Sequence, residues 1–77
     1  MKSGLLWYDN SSSYLGDKIA KAAERYKQKF GIQPDTAFVN PRDLETNTPV
    51  KVPNAKNIKV QPKHTILPNH IWLGVSN

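Results

Sequence analysis

The sequence predicts an α+β domain: one long amphipathic helix packed on a small mixed β-sheet, in the order β-α-β-(short helical turn)-β-β. Three observations carry that expectation. Apolar residues recur at helical spacing in only one long stretch, residues 14–30. Short apolar or alternating runs of strand length stand on either side of it. Residues that favour turns separate these runs at every junction. With 77 residues in all, the whole chain, 1–77, reads as a single small domain near the lower size at which one core can hold a fold.

Gly4-Leu5-Leu6-Trp7-Tyr8 is apolar and aromatic, as suits a buried first strand. Asp9-Asn10 and the triplet Ser11-Ser12-Ser13 break it and lead to the helix, with Ser13 or Ser12 expected as its N-cap. Leu15, Ile19, Ala22, Ala23, Tyr26 and Phe30 then share one helical face. Gly31 follows the last periodic residue, where a left-handed C-cap is needed. Ile32 is expected to fold back on the final turn, and Pro34 forbids continuation. Thr36-Ala37-Phe38-Val39 is the second strand; strand, helix and strand with short links predict a right-handed crossover and a parallel pair.

Asn40-Pro41-Arg42-Asp43-Leu44 predicts one helical turn, capped by Asn40 and started by Pro41, with Leu44 tucked inward. Residues 45–57 read as a polar loop, with a short edge pairing at Val50-Lys51-Val52. Ile58-Lys59-Val60-Gln61 alternates as a half-exposed strand, which Pro62 ends or confines to a sheet edge. The connector at 64–68 offers Ile66 and Leu67 for burial. Ile71-Trp72-Leu73-Gly74-Val75 closes the chain as a strand apolar on both faces. Trp7 and Trp72 are both expected to face inward or to pack near each other, because large aromatics dominate small cores.

Charge is unevenly placed. Of eleven basic and six acidic residues, 1–45 hold seven basic and all six acidic ones, a net of +1. Residues 46–77 add Lys51, Lys56, Lys59 and Lys63 with no acid, a net of +4. A one-signed half points to a polyanion or an acidic partner. With no cysteine, neither disulfides nor thiolate metal sites are available, which fits a reducing compartment. The opening apolar run is too short for a signal segment, and nothing approaches a membrane span, so a soluble, cytoplasmic protein is expected.

Lys18, Lys21, Arg25 and Lys29 are spaced by three, four and four residues, which lines them up on one helix flank. Such a stripe can track a phosphate backbone, and as an ordinary solvated face it would pair Asp17 with Lys21. Asp9 stands just past the carboxyl end of the first strand, where a carboxylate could hold a divalent ion that activates water; as a purely local feature it would make an Asx turn. His64 and His70 are six residues apart across Pro68, a spacing that suits no metal pair. The four glycines make no phosphate-cradling loop, so no cofactor or metal is expected.

The Gly4 to Asp9 opening, Tyr26 to Gly31, Val39-Asn40-Pro41 and the Leu67 to Gly74 close together resemble a group of short prokaryotic proteins with no assigned activity, a resemblance that implies none. Tyr8-Asp9 before a basic helix resembles the small CRISPR-associated endonucleases of ferredoxin-like fold, which implies a metal-dependent nuclease using Asp9; the arginine-bearing second helix of that family is absent here. Phe38-Val39-Asn40-Pro41, Val50-Lys51-Val52, Leu67-Pro68 and Gly74 are similar in order to elements of tailed-phage capsid proteins.

The expectation that follows is a small non-enzymatic binding module, monomer or homodimer, with no membrane partner. Its basic surface (Lys18, Lys21, Arg25 and Lys29, helped by Lys59 and Lys63) would engage nucleic acid or an acidic protein. The competing expectations are the Asp9 nuclease and an assembly protein that pairs through sheet edges near residues 58–61.

Overall fold

The computed structural model describes residues 4–44, 50, 52–53 and 57–75. Its periodic stretch forms α1 (Leu15–Phe30), which turns Ile19, Ala22, Ala23 and Tyr26 into the core. Gly31 ends it at φ 77°, and its N–H donates to the Lys27 carbonyl at 2.8 Å. That backbone conformation is the one a side chain resists and glycine accepts.

The start of α1 differs from expectation. Tyr14 is the N-cap, and no side chain caps the helix. The Tyr14 carbonyl accepts from the N–H groups of Asp17 and Lys18, at 3.0 and 3.2 Å. The serines close turns of their own instead: Ser11 N–H donates to Asp9 Oδ1 at 2.9 Å and Ser13 N–H to Ser11 Oγ at 3.4 Å. The triplet therefore ends one residue before the cap. Ile32 also departs from its expected role, being 53 % exposed rather than folded onto the last turn.

Four strands make one mixed sheet: β1 (Gly4–Tyr8), β2 (Thr36–Val39), β3 (Lys59–Pro62) and β4 (His70–Gly74), in the order β1-β4-β2-β3. β4 is antiparallel to both β1 and β2, and β2 is parallel to β3. The first two strands thus run the same way but are not a pair, because β4 is inserted between them as in a split β-α-β unit. The reason lies in composition. β4 is apolar on both faces and takes a central place with a neighbour on each side, whereas β1 alternates half-buried and exposed residues and takes an edge.

α1 covers one face only. Leu5 and Trp7, Ile71 and Leu73, Ala37 and Val39, and Val60 share that face by register, and with α1 they make up the core and its margin. Trp72 lies across the sheet from Leu6 and Phe38, on the opposite face. The two tryptophans are therefore on opposite sides of the sheet, and the expectation that both face inward holds for Trp7 alone. A single helix cannot cover both faces, so an apolar central strand leaves one row of its side chains outside.

The link after β2 is a single 3-10 turn, Pro41–Asp43, with the Asn40 side chain accepting from Arg42 N–H at 2.8 Å. Leu44 packs against the core, as do Val50 and Val52. The pairing expected at 50–52 rests on Lys51, which lies outside the described residues. Of the connector pair, Ile66 is half-buried and Leu67 is 65 % exposed. No helix among the described residues is long and apolar enough to cross a membrane.

Candidate functional site

The helix spacing places Lys18, Lys21, Arg25 and Lys29 along one flank of α1, and the structure shows where that flank lies. Arg25, Gln28 and Lys29 share a shallow depression with Leu5 and Trp7 of β1. Lys18 and Lys21 line another with Asp9, at the carboxyl end of the same strand. The stripe therefore follows the β1 side of the molecule. Lys18 Nζ donates to the Asp9 carbonyl at 3.1 Å, Arg25 Nη1 to Gln28 Oε1 at 3.5 Å, and Lys29 Nζ stands 5.4 Å from the Phe30 ring centre.

Lys59 and Lys63 do not extend this stripe. They sit on and just after β3, the opposite edge of the sheet. Three inter-strand steps of ~4.8 Å put about 14 Å between the two edges. Lys63 N–H donates to the Val39 carbonyl at 2.8 Å, and its Nζ stands 4.9 Å from the centre of the Phe38 ring. The six cations are thus two groups on two edges, not one patch.

Asp9 opens a pocket of about 270 Å³ between β1, α1 and the loop before β4. Asp43 and His70 line the same pocket. Sequence spacing gave no sign of this grouping, because it depends on β4 pairing with β1, which brings His70 opposite Tyr8. Asn69, the one described non-glycine residue at positive φ (65°), ties the corner together. It accepts from Asp9 N–H at 2.9 Å through its carbonyl and donates its own N–H to Asp43 Oδ2 at 2.8 Å.

The Asp9 carboxyl is held below the ordinary aspartate value, first by hydrogen bonds from the Ser11 hydroxyl and N–H, then by the charges of Lys18 and Lys21. It is therefore an ionised acceptor. His70 Nδ1 lies 2.9 Å from the Pro68 carbonyl, an acceptor only, which places a proton on that nitrogen. Each acidic group here thus has a local partner. Among the described residues no group of three or more His, Cys, Asp or Glu side chains is placed to hold a metal ion. His64 is exposed and does not line this pocket.

The face of the sheet away from α1 is a third surface, which sequence reasoning missed. Register lines up Leu6, Trp72, Phe38 and Gln61 in one row across all four strands, with Tyr8 beside His70 in the next. Leu6 and Tyr8 are each 57 % exposed. The Phe38 and Trp72 ring centres are 6.0 Å apart, and those of Tyr8 and His70 are 4.9 Å apart. Phe38, Lys63, Ile66 and Trp72 line a depression of about 450 Å³. The available signal was one large aromatic in each of β1, β2 and β4 (Tyr8, Phe38 and Trp72) at positions of the same alternation, once it is asked which side the single helix leaves bare.

No family model, curated protein or solved structure matches this chain. The resemblances of its motifs add nothing to the geometry.

Proposed function

We propose that the chain is a non-enzymatic binding module for nucleic acid that works in the cytoplasm. The observation that carries this reading is the ridge of Lys18, Lys21, Arg25 and Lys29 along the β1 side of α1, on a chain of net charge +5. Cations at that spacing suit successive phosphates, and each phosphate neutralised releases condensed counterion. An acidic protein would satisfy the same charge without the regular repeat of a phosphate backbone.

The test is an NMR titration of the isotopically labelled protein with a short mixed-sequence duplex at two salt concentrations. Amide shifts should cluster on Lys18, Lys21, Arg25 and Lys29. If four phosphates are contacted, a rise from 50 to 200 mM salt should weaken binding by roughly 10²-fold. Absence of shifts at the lower salt, with the duplex and with a single strand of the same length, sinks the reading.

A second reading, a metal-dependent nuclease, draws on the pocket that Asp9 shares with Asp43 and His70. It requires magnesium- or manganese-dependent cleavage that Asp9→Asn abolishes while the fold persists. Assembly through the β3 edge is favoured by the position of that strand and would show as concentration-dependent mass.

A further inference from the structure

We propose that the uncovered face of the sheet is a stacking platform for unpaired bases, so that the preferred ligand is single-stranded nucleic acid. This rests on the nucleic-acid reading above but uses a different surface from the helix stripe.

The argument starts from the residues that point away from α1. They are Gly4, Leu6 and Tyr8 on β1, His70, Trp72 and Gly74 on β4, Thr36 and Phe38 on β2, and Lys59 and Gln61 on β3. None is acidic. Three are large aromatics, and Tyr8 is more than half exposed. A face that needed only to be wetted would not keep Tyr8, Phe38 and Trp72 there, since exposed apolar patches mark binding sites.

The order across the sheet fits a strand of nucleic acid. Lys59 and Lys63 stand at the β3 edge, with the Lys63 ammonium 4.9 Å from the Phe38 ring centre and the Trp72 ring 6.0 Å farther on. Leu6 and Tyr8 then extend the platform to β1. Cations therefore border the β3 end of an aromatic path, where a phosphate backbone is attracted. Aromatic side chains on a four-stranded sheet can stack two or three bases, and stacking tolerates any base because each has a π-face. The depression of about 450 Å³ beside Phe38 and Trp72 is within the roughly 300–1,000 Å³ of small-molecule sites. A duplex hides its base faces and cannot use this surface.

The charge also argues against a second copy of the chain as occupant. Two copies would bring +5 together with +5 and juxtapose lysines of one sign, whereas a polyanion is attracted by the same lysines.

Gly4 keeps the platform in place. A Cβ built on Gly4 would stand 2.1 Å from Cζ2 of Trp72, so the indole occupies the room that a side chain would take. The ring thus rests over the sheet backbone.

The experiment titrates the labelled full chain with oligo-dT and oligo-U of roughly ten nucleotides, inside the usual 4–16-nucleotide range of such sites, and with a matched duplex. The indole N–H of Trp72 and the rings of Tyr8 and Phe38 should shift with single strands, while the indole of Trp7, on the other face, should not. Tyr8→Ala and Phe38→Leu should each weaken single-strand binding by roughly 5- to 100-fold and leave duplex binding unchanged. The exposed Tyr8 makes its variant safe for folding.

Single strands and duplex bound equally, with only the helix stripe shifting, would overturn the platform and leave the module reading intact. No binding of either at low salt would overturn both. Shifts of Leu6, Tyr8 and Trp72 that track protein concentration alone would show a second copy on this face, and the platform would be wrong.

Discussion

The helix side and the open side of this sheet are made by the same four strands, yet they solve different problems. On the helix side Ala37 and Ala22 and Ala23 are small and fully or almost fully buried, which allows α1 to approach closely, and Ile19, Ile71, Leu73 and Val39 fill the space between. On the open side Tyr8 and His70, and Phe38 and Trp72, meet as tilted ring pairs with centres 4.9 and 6.0 Å apart, and α1 does not lie over them. A covered face needs side chains that fill a volume; the uncovered one carries the aromatics on which the proposed platform rests. The difference can be measured.

The largest contrast should come from truncating one residue on each face. Ile71→Ala removes a side chain that is 2 % exposed and should cost about 2–5 kcal/mol, a large part of the stability of so small a domain. Phe38→Ala, on the same sheet but half-exposed, should cost about half of the ~1.5–3 kcal/mol that complete burial of such a side chain contributes. Urea midpoints at constant m-value measure both. Equal losses would mean that the open face is packed in solution and that the comparison is false.

This contrast also marks what the sequence could and could not reveal. α1 was legible nearly to the residue, because a 3.6-residue apolar period and a left-handed glycine are local signals; β1 was legible in its bounds, but its apolar run suggests a buried strand and it is a half-exposed edge. The 3-10 turn was legible for the same reason, through Asn40 and Pro41. Strand order was not, since nothing within β4 states that it will sit between β1 and β2. From that one unknown come the departures that concern the sheet, whereas the Tyr14 cap and the exposed Ile32 are local to the ends of α1. Trp7 and Trp72, expected to face inward or to pack near each other because large aromatics dominate small cores, lie on opposite faces, and the grouping of Asp9, Asp43 and His70 stays hidden in the sequence because it forms only when β4 pairs with β1. Lys59 and Lys63, expected to help the helix stripe, lie at the far edge of the sheet. The charge of the surface could be read from composition, but the division of that charge between two edges is a property of topology.

A substitution at Gly4 tests whether the open face has a defined shape. Valine suits a strand backbone, so Gly4→Val acts through the contact it makes with the Trp72 ring, where even the first added carbon comes within 2.1 Å. The indole must move off the sheet, at about 1–3 kcal/mol if it resists as a packed group does. Tryptophan fluorescence and the Trp72 indole N–H resonance should both change, with the Trp7 resonance held. An unchanged Trp72 signal would show a ring that was never seated there, and the platform would lose its central member.

The smallest effect is expected at the other tryptophan. Trp7 Nε1 is buried and has no hydrogen-bond partner among the described residues. Leaving such a donor unmatched costs about 1–3 kcal/mol, whereas its N–H in water would be satisfied. Trp7→Phe removes the donor together with part of the ring's apolar area, and the two terms oppose each other. The net change in stability should therefore stay within about 1 kcal/mol of zero, far below that of Ile71→Ala on the same face. Nucleic-acid binding through the open face should be untouched, because the side chain points to α1 and not to the platform. Thermal or urea unfolding decides the first point and the single-strand titration the second. A loss of about 3 kcal/mol or more would mean that the indole N–H is bonded after all, and that Trp7 anchors this edge of the covered face by polarity as well as by volume.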